Sequence, residues 1–149
     1  MRPNHWLILG LLLVAGCAYD RPQTPGAAPT KSTAQLLNTY WKLTELDGQV
    51  ITTPQGAREI HFVMESDNPR VHGFSGCNRM MGGYVLNGDE LKFDQMGGTL
   101  MACAADMDLE KKFLGMFGAV ARWQIAGETL TLLNADGKAL AVFESRYLE

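Results

Sequence analysis

From Tyr40 onward, apolar and polar residues alternate in short runs separated by turn formers, the period-2 signature of half-buried strands. Tyr40–Leu46 sets Trp41 and Leu43 on one face and stops at Asp47-Gly48. Ile60, Phe62 and Met64 alternate with Glu59, His61 and Val63, which assigns His61 to the solvated face; Asp67-Asn68-Pro69 ends that run. Val71–Phe74 is brief and leads into a glycine-rich stretch. Tyr84–Leu86, Asn87-Gly88, then Leu91 and Phe93 predict a hairpin on a type I′ turn. Trp123/Ile125, Leu130/Leu132 and Leu140/Val142, divided by Gly127-Glu128 and the Asn134–Gly137 turn, predict a closing meander of three antiparallel strands.

One segment keeps a different period. Between Asp106 and Val120, the residues Leu109, Phe113, Met116, Phe117 and Val120 recur at three- and four-residue steps, as on one helix face. Asp106 suits the N-cap, and Glu110 sits where the helix dipole favours negative charge. Gly115 and Gly118 each weaken the helix by about 1 kcal/mol relative to Ala, so close packing against the sheet is expected to compensate. The expected fold is mostly β (α+β): seven or eight short antiparallel strands curled into a partial barrel, with one amphipathic helix before the last three.

The amino terminus reads differently. A basic start at Arg2 precedes an uncharged stretch from Trp6 to Gly16, long enough to engage a secretion channel and too short to span a bilayer stably. It ends Leu11-Leu12-Leu13-Val14-Ala15-Gly16-Cys17, and small residues just before a cysteine resemble the lipobox of bacterial lipoproteins. That resemblance implies diacylglycerol on the Cys17 thiol, removal of residues 1–16 and acylation of the new amine, for example with palmitate. Several acyl chains on one residue exceed what lasting membrane attachment needs. An ordinary cleaved signal and an uncleaved anchor are the alternatives. Residues 18–34 hold three of the six prolines and no aliphatic larger than Ala, so they cannot build a core. They form a tether of about 20–25 Å mean span. The expected organisation is a signal peptide at 1–16, the lipidated cysteine with its flexible tether at 17–34, and one folded domain at 35–149.

Composition narrows the partners. Removing 16 of 149 residues takes away Arg2 and no acid, leaving 12 basic against 16 acidic residues and a formal charge of −4. Nucleic acid needs a basic stripe and finds none, and the same holds for a polybasic membrane face. With Cys17 modified, Cys77 and Cys103 remain, and an even pair in an oxidising compartment reads first as a disulfide. Two buried free thiols, or one reactive thiol, are the other readings.

Gly73-Phe74-Ser75-Gly76-Cys77-Asn78 is followed by Gly82-Gly83-Tyr84, then by Thr99, Met101, Ala102 and Cys103, with Glu110 and Phe113 beyond. With Trp41 and Leu43 at the start and Leu130 and Leu132 near the end, this order resembles the META domain, the family of HslJ-like bacterial proteins, over about residues 36–149. The resemblance implies a cracked barrel similar to lipid-binding secretin pilot proteins, and a non-catalytic envelope or stress-associated role. The glycines at 73, 76, 82 and 83 suit bends, bulges or positive φ, and Asn78 can tie an irregular loop to neighbouring backbone. Gly73, Gly76, Asn78, Gly83, Tyr84 and Thr99 are therefore read as structural, with Cys77 and Cys103 clamping the loop to the segment that leads into the helix.

Chemistry finds little footing. A Cys77 nucleophile would need His61 or His72 as base, and a disulfide would consume its thiol. Ser75 lacks the G-x-S-x-G spacing of a nucleophile elbow. Eight methionines are soft donors, but no H-x-x-x-H or C-x-x-C spacing accompanies them, so no metal and no cofactor are expected. The carboxylates, Glu110 included, read as solvated or capping groups. Phe62, Phe113, Met116, Phe117 and Trp123 either fill the core or line an apolar groove. The expected function is a lipid-anchored envelope protein, at the outer membrane facing the periplasm, acting in stress tolerance or assembly through protein or lipid contacts. A hydrophobic-ligand carrier resembling secretin pilots is the alternative, and an envelope enzyme using Cys77 a weaker one.

Overall fold

The computed structural model describes residues 34–103 and 107–147. Cys17, the leader at 1–16, the tether up to 33 and the Asp106 cap lie outside the described residues. In chain order the elements are β1 (Tyr40–Leu46), β2 (Gln49–Val50), β3 (His61–Met64), β4 (Arg70–Phe74), β5 (Arg79–Asn87) and β6 (Glu90–Gly98). Then come α1 (Met107–Met116), a 3₁₀ turn (Phe117–Ala119), β7 (Arg122–Ala126), β8 (Thr129–Leu133) and β9 (Ala139–Arg146).

All strand pairs are antiparallel, in the order β2-β1-β3-β4-β5-β6-β7-β8-β9, and β1 also pairs with β9. Eight strands therefore close into a ring, with β2 an appendage of the β1 turn. At eight strands a barrel interior is just wide enough for its own side chains to fill. The ring has a weak seam: β6 and β7 are in register only at Glu90↔Arg122, flanked by Leu91 N–H to the Ala121 carbonyl (3.0 Å) and Trp123 N–H to the Asp89 carbonyl (3.1 Å). The chain between these strands carries α1 and the 3₁₀ turn, which pack beside the seam.

Alternation decides which side chains enter the ring. Trp41 and Leu43 from β1, Phe62 and Met64 from β3, Leu130 and Leu132 from β8 and Phe143 from β9 are fully or nearly fully buried. Phe62 lies at the centre, edge-on to Phe143 (4.9 Å between centroids), Phe117 (6.0 Å) and Phe93 (6.2 Å), and Phe113 meets Phe117 at 5.2 Å. Such edge-to-face pairs add about 0.5–1.5 kcal/mol each beyond burial of their area. The helix thus contributes Phe113, Met116 and the following Phe117 as one plug for the ring.

Several expectations need correction. The hairpin loop is Gly88-Asp89, because Asn87 pairs with Glu90; Gly88 alone has positive φ (60°), the type II′ pattern. Asp47-Gly48 instead forms the I′ turn, with φ of 49° and 79°. β5 and β6 run through glycine-rich ends that carry no readable alternation. Gly115 and Gly118 face open space and do not pack against the sheet; a Cβ there would meet nothing within 4 Å. Gly73 is a tight position, since a Cβ would land on the His61 carbonyl oxygen and lie 2.8 Å from the Phe62 Cα.

His61 is buried, although alternation assigns it to the solvated face. The Tyr40 ring stacks on it at 4.1 Å, and its Nδ1 lies 2.9 Å from the Glu59 carbonyl. Burial lowers its pKa from the ordinary 6.5, against the opposing pull of that carbonyl, with Arg58 adding a further lowering.

Two expectations follow. Phe62→Ala should cost about 3–5 kcal/mol by urea unfolding, because it opens a cavity where four rings meet. The unfolded chain takes up a proton at His61 near the ordinary imidazole value, while the folded chain resists until lower pH. The native state's advantage is therefore present above about pH 6.5 and is lost as pH falls through the depressed folded value. Urea midpoints should drop across that window, and His61→Gln should flatten the drop.

Candidate functional site

The loop between β4 and β5 is held by a buried carboxylate. Glu110 lies on α1 one turn before Phe113 and is only 4% exposed. Its Oε1 accepts the Ser75 hydroxyl and the Asn78 backbone N–H (2.9 Å), and its Oε2 accepts Asn78 Nδ2 (3.1 Å). Burial would raise the Glu110 pKa, but the hydrogen bonds from Ser75, Asn78 and the Cys77 backbone outweigh it and bring the value below 4.5. The groups that hold this charge are the dipoles of neutral donors.

Asn78 is the hub of this cluster. Its Oδ1 accepts the Thr99 hydroxyl (2.8 Å) and the Met101 N–H (2.7 Å), and its Nδ2 also donates to the Met101 carbonyl (3.2 Å). Its backbone carbonyl accepts the Ser75 N–H at 2.9 Å, and the Ser75 hydroxyl oxygen, whose proton goes to Glu110, lies at the same distance. Thr99 reaches back, accepting the Arg79 N–H at 3.2 Å. Beside these bonds Cys77 and Cys103 form a disulfide across 26 residues, with Cα atoms 5.9 Å apart. With that bridge formed, neither cysteine is a free or reactive thiol.

The remaining motif residues serve the same frame. Gly76 has φ +114°, which an L side chain rarely adopts, and it turns the loop so that Cys77 and Asn78 face Glu110. Gly83 lies beside the register shift in β5–β6, where a Cβ would strike the Asp94 carboxylate. Tyr84 is buried and donates to the Glu65 carbonyl at 2.6 Å. Gly73 brings β4 against β3. Of the five candidate groove residues, Phe62, Phe113, Met116 and Phe117 belong to the packed interior. Trp123 on β7 is half-buried and packs against that interior from its edge, with Nε1 donating to the Gly88 carbonyl at 3.0 Å. His72 is exposed and pairs with Glu65 at 3.2 Å, so neither histidine approaches Cys77 as a hydrogen-bonded base. Among the described residues, no three His, Cys, Asp or Glu side chains converge as metal ligands.

Glu110 is the residue that pattern alone misassigns, placing it among solvated or capping acids. A signal was available, since Glu110, Phe113 and Phe117 share one stripe at three- and four-residue steps. An acid on an apolar stripe must be buried with partners or break the helix face.

What this arrangement does chemically is fasten. Glu110→Gln keeps one acceptor oxygen but turns an amide NH₂ toward a donor, and should cost about 2–3 kcal/mol in urea unfolding with an unchanged m-value. Its charge contribution is present above the ordinary carboxylate value and lost as pH falls through the lower folded value. Cys77→Ala and Cys103→Ala should each lose about 3 kcal/mol, and the double variant little more, because either change opens the same loop.

Known proteins share this architecture. A solved NMR structure of a protein from Burkholderia xenovorans is similar, with 27% identity over 86% of this chain and 98% of that one, at a TM-score of 0.61. A second NMR structure shares the fold at 21% identity and a TM-score of 0.58, covering 73% of this chain and 90% of that one. Comparison with curated proteins returns no match. The META domain model matches residues 34–147, the whole ring together with the loop–helix clamp, and the chain belongs to the META domain family.

Proposed function

We propose that this protein is a non-catalytic, membrane-anchored envelope lipoprotein whose META domain acts in stress tolerance or envelope assembly through contacts with protein or lipid. The observation that carries the non-catalytic part is the engagement of the polar motif side chains in the clamp: Ser75, Asn78, Thr99 and Glu110 satisfy one another, and Cys77 is bound to Cys103. Groups so occupied and buried are fasteners rather than reagents. The disulfide supports an oxidising compartment, where such bridges persist. The run ending Ala15-Gly16-Cys17 supports acyl anchoring, and Ala18 after that cysteine favours outer-membrane sorting by resemblance to lipoproteins generally.

A carrier of apolar ligands would need an interior cavity, whereas the ring is filled by its own phenylalanines. The groove that could serve is external: about 350 Å³ between α1 and the 51–60 loop, bordered by Ile51, Pro54, Ile60 and Leu109. Native mass spectrometry after mild purification separates the readings, recurrent copurifying lipid favouring the carrier.

Anchoring has a direct test. Cys17→Ser should abolish palmitate incorporation and move the protein from the membrane to the soluble fraction, with the unfolding transition of the domain unchanged. Membrane retention of that variant would contradict acyl anchoring.

A further inference from the structure

Beside the clamp, between α1 and the chain that links β2 to β3, lies the groove of about 350 Å³ bordered by Ile51, Pro54, Ile60 and Leu109. Gly76 and Cys77 line it from the β4–β5 loop. That wall is fixed from behind. Cys77 is bridged to Cys103, Asn78 is bonded to Glu110, and Glu110 follows Leu109 on α1. Small-molecule sites are mostly apolar, largely preformed and carry few polar groups, each of which fixes a ligand's orientation. The clamp supplies the preformed wall, and the apolar lining is in place.

Among the described residues, the one charged side chain that lines this groove is Arg58. It is exposed, and its guanidinium lies over the Phe74 ring, 4.6 Å from the centroid. A ring contact of this kind seats the cation and leaves its fork of N–H donors free. Among the described residues no carboxylate forms an ion pair with it. The acid next to it in the chain, Glu59, is already engaged by Lys42 at 2.7 Å. A seated arginine with free donors, at the edge of an apolar groove that no acid lines, suits a carboxylate carried on an apolar body.

We propose that this groove binds a single-chain amphiphilic acid, its carboxylate paired with Arg58 and its alkyl chain lying along Ile51, Pro54, Ile60 and Leu109. This goes beyond the protein-contact reading above and does not depend on acyl anchoring. The volume falls at the low end of ligand pockets, about 300–1,000 Å³, and suits one short chain rather than the two of a phospholipid. The acyl chains expected on Cys17 end in ester and amide links, so they would bring no free carboxylate to Arg58. The ligand is held at the outside of the ring, whose interior is filled by its own side chains.

The test uses the full chain and decanoate carrying a photoreactive diazirine at its tail end, with the crosslinked residues mapped by mass spectrometry. The label should fall within residues 51–60 and at Leu109. Unlabelled decanoate should displace it about tenfold more effectively than decanol, which has the chain without the charge. Arg58→Gln should weaken labelling about tenfold, and Arg58→Lys should recover part of the loss, because a point charge lacks the guanidinium fork. Pro54→Asp, on the exposed loop, should weaken it about as much as Arg58→Gln, since it sets an acid against both chain and head group. The thermal midpoint of all three variants should stay unchanged. Equal displacement by decanol would mean partition into an apolar surface or a bilayer, and displacement by inorganic phosphate alone would reduce the site to a bare anion contact; either overturns the proposal. So would undiminished labelling of Arg58→Gln, or label scattered over the rest of the ring. Crosslinking in this groove and the membrane fractionation of Cys17→Ser are separate readouts, so either reading can fail while the other stands.

Discussion

A single buried carboxylate sets the arrangement of one end of this barrel. Glu110 carries charge into a dry site, which is costly unless donors surround it. The loop from Ser75 to Asn78 supplies those donors, and it can do so only in the conformation that Gly76 permits. Loop and helix therefore define each other: without the helix the loop donors have no anion to gather around, and without the loop the helix cannot bury its acid. Asn78 then extends the arrangement to Thr99 and Met101, and the disulfide crosses the same junction.

This junction explains the position of the seam. Once α1 is fastened by Glu110 over the β4–β5 loop and by Phe113 and Phe117 in the ring, the chain between β6 and β7 cannot also run as a strand. β6 and β7 then meet at one residue pair, and the ring closes elsewhere through β1 and β9. Core filling and the thin β6–β7 seam are two consequences of one placement of the helix. The polar side chains of the motif bond one another across that junction.

Much of the fold was legible. Alternation in β1, β3 and the last three strands located those elements, although in β9 it picked out Leu140 and Val142 where pairing with Leu130 and Leu132 turns Phe143 and Ala141 inward. The helix was legible from its three- and four-residue steps. The ends of β5 and β6 were not, since glycines 82, 83, 97 and 98 carry no side chain to alternate. Alternation misplaces His61 because it counts faces of a strand and cannot foresee that Tyr40, on a neighbouring strand, lies over the outer one. Helix propensity alone makes glycines 115 and 118 look like packing positions, yet both face open space. In the site, the cysteine pair and the tying role of Asn78 were readable from residue type, but the anion they surround was not.

The sequence by itself determined the element types, their order and most of the apolar side chains that must leave water, because periodicity and turn chemistry are local. Tertiary structure alone decided that β1 meets β9, that Glu110 faces inward and that β6 meets β7 at one residue pair. Each of those outcomes depends on which distant groups compete for one small interior. Local pattern carries no record of that competition.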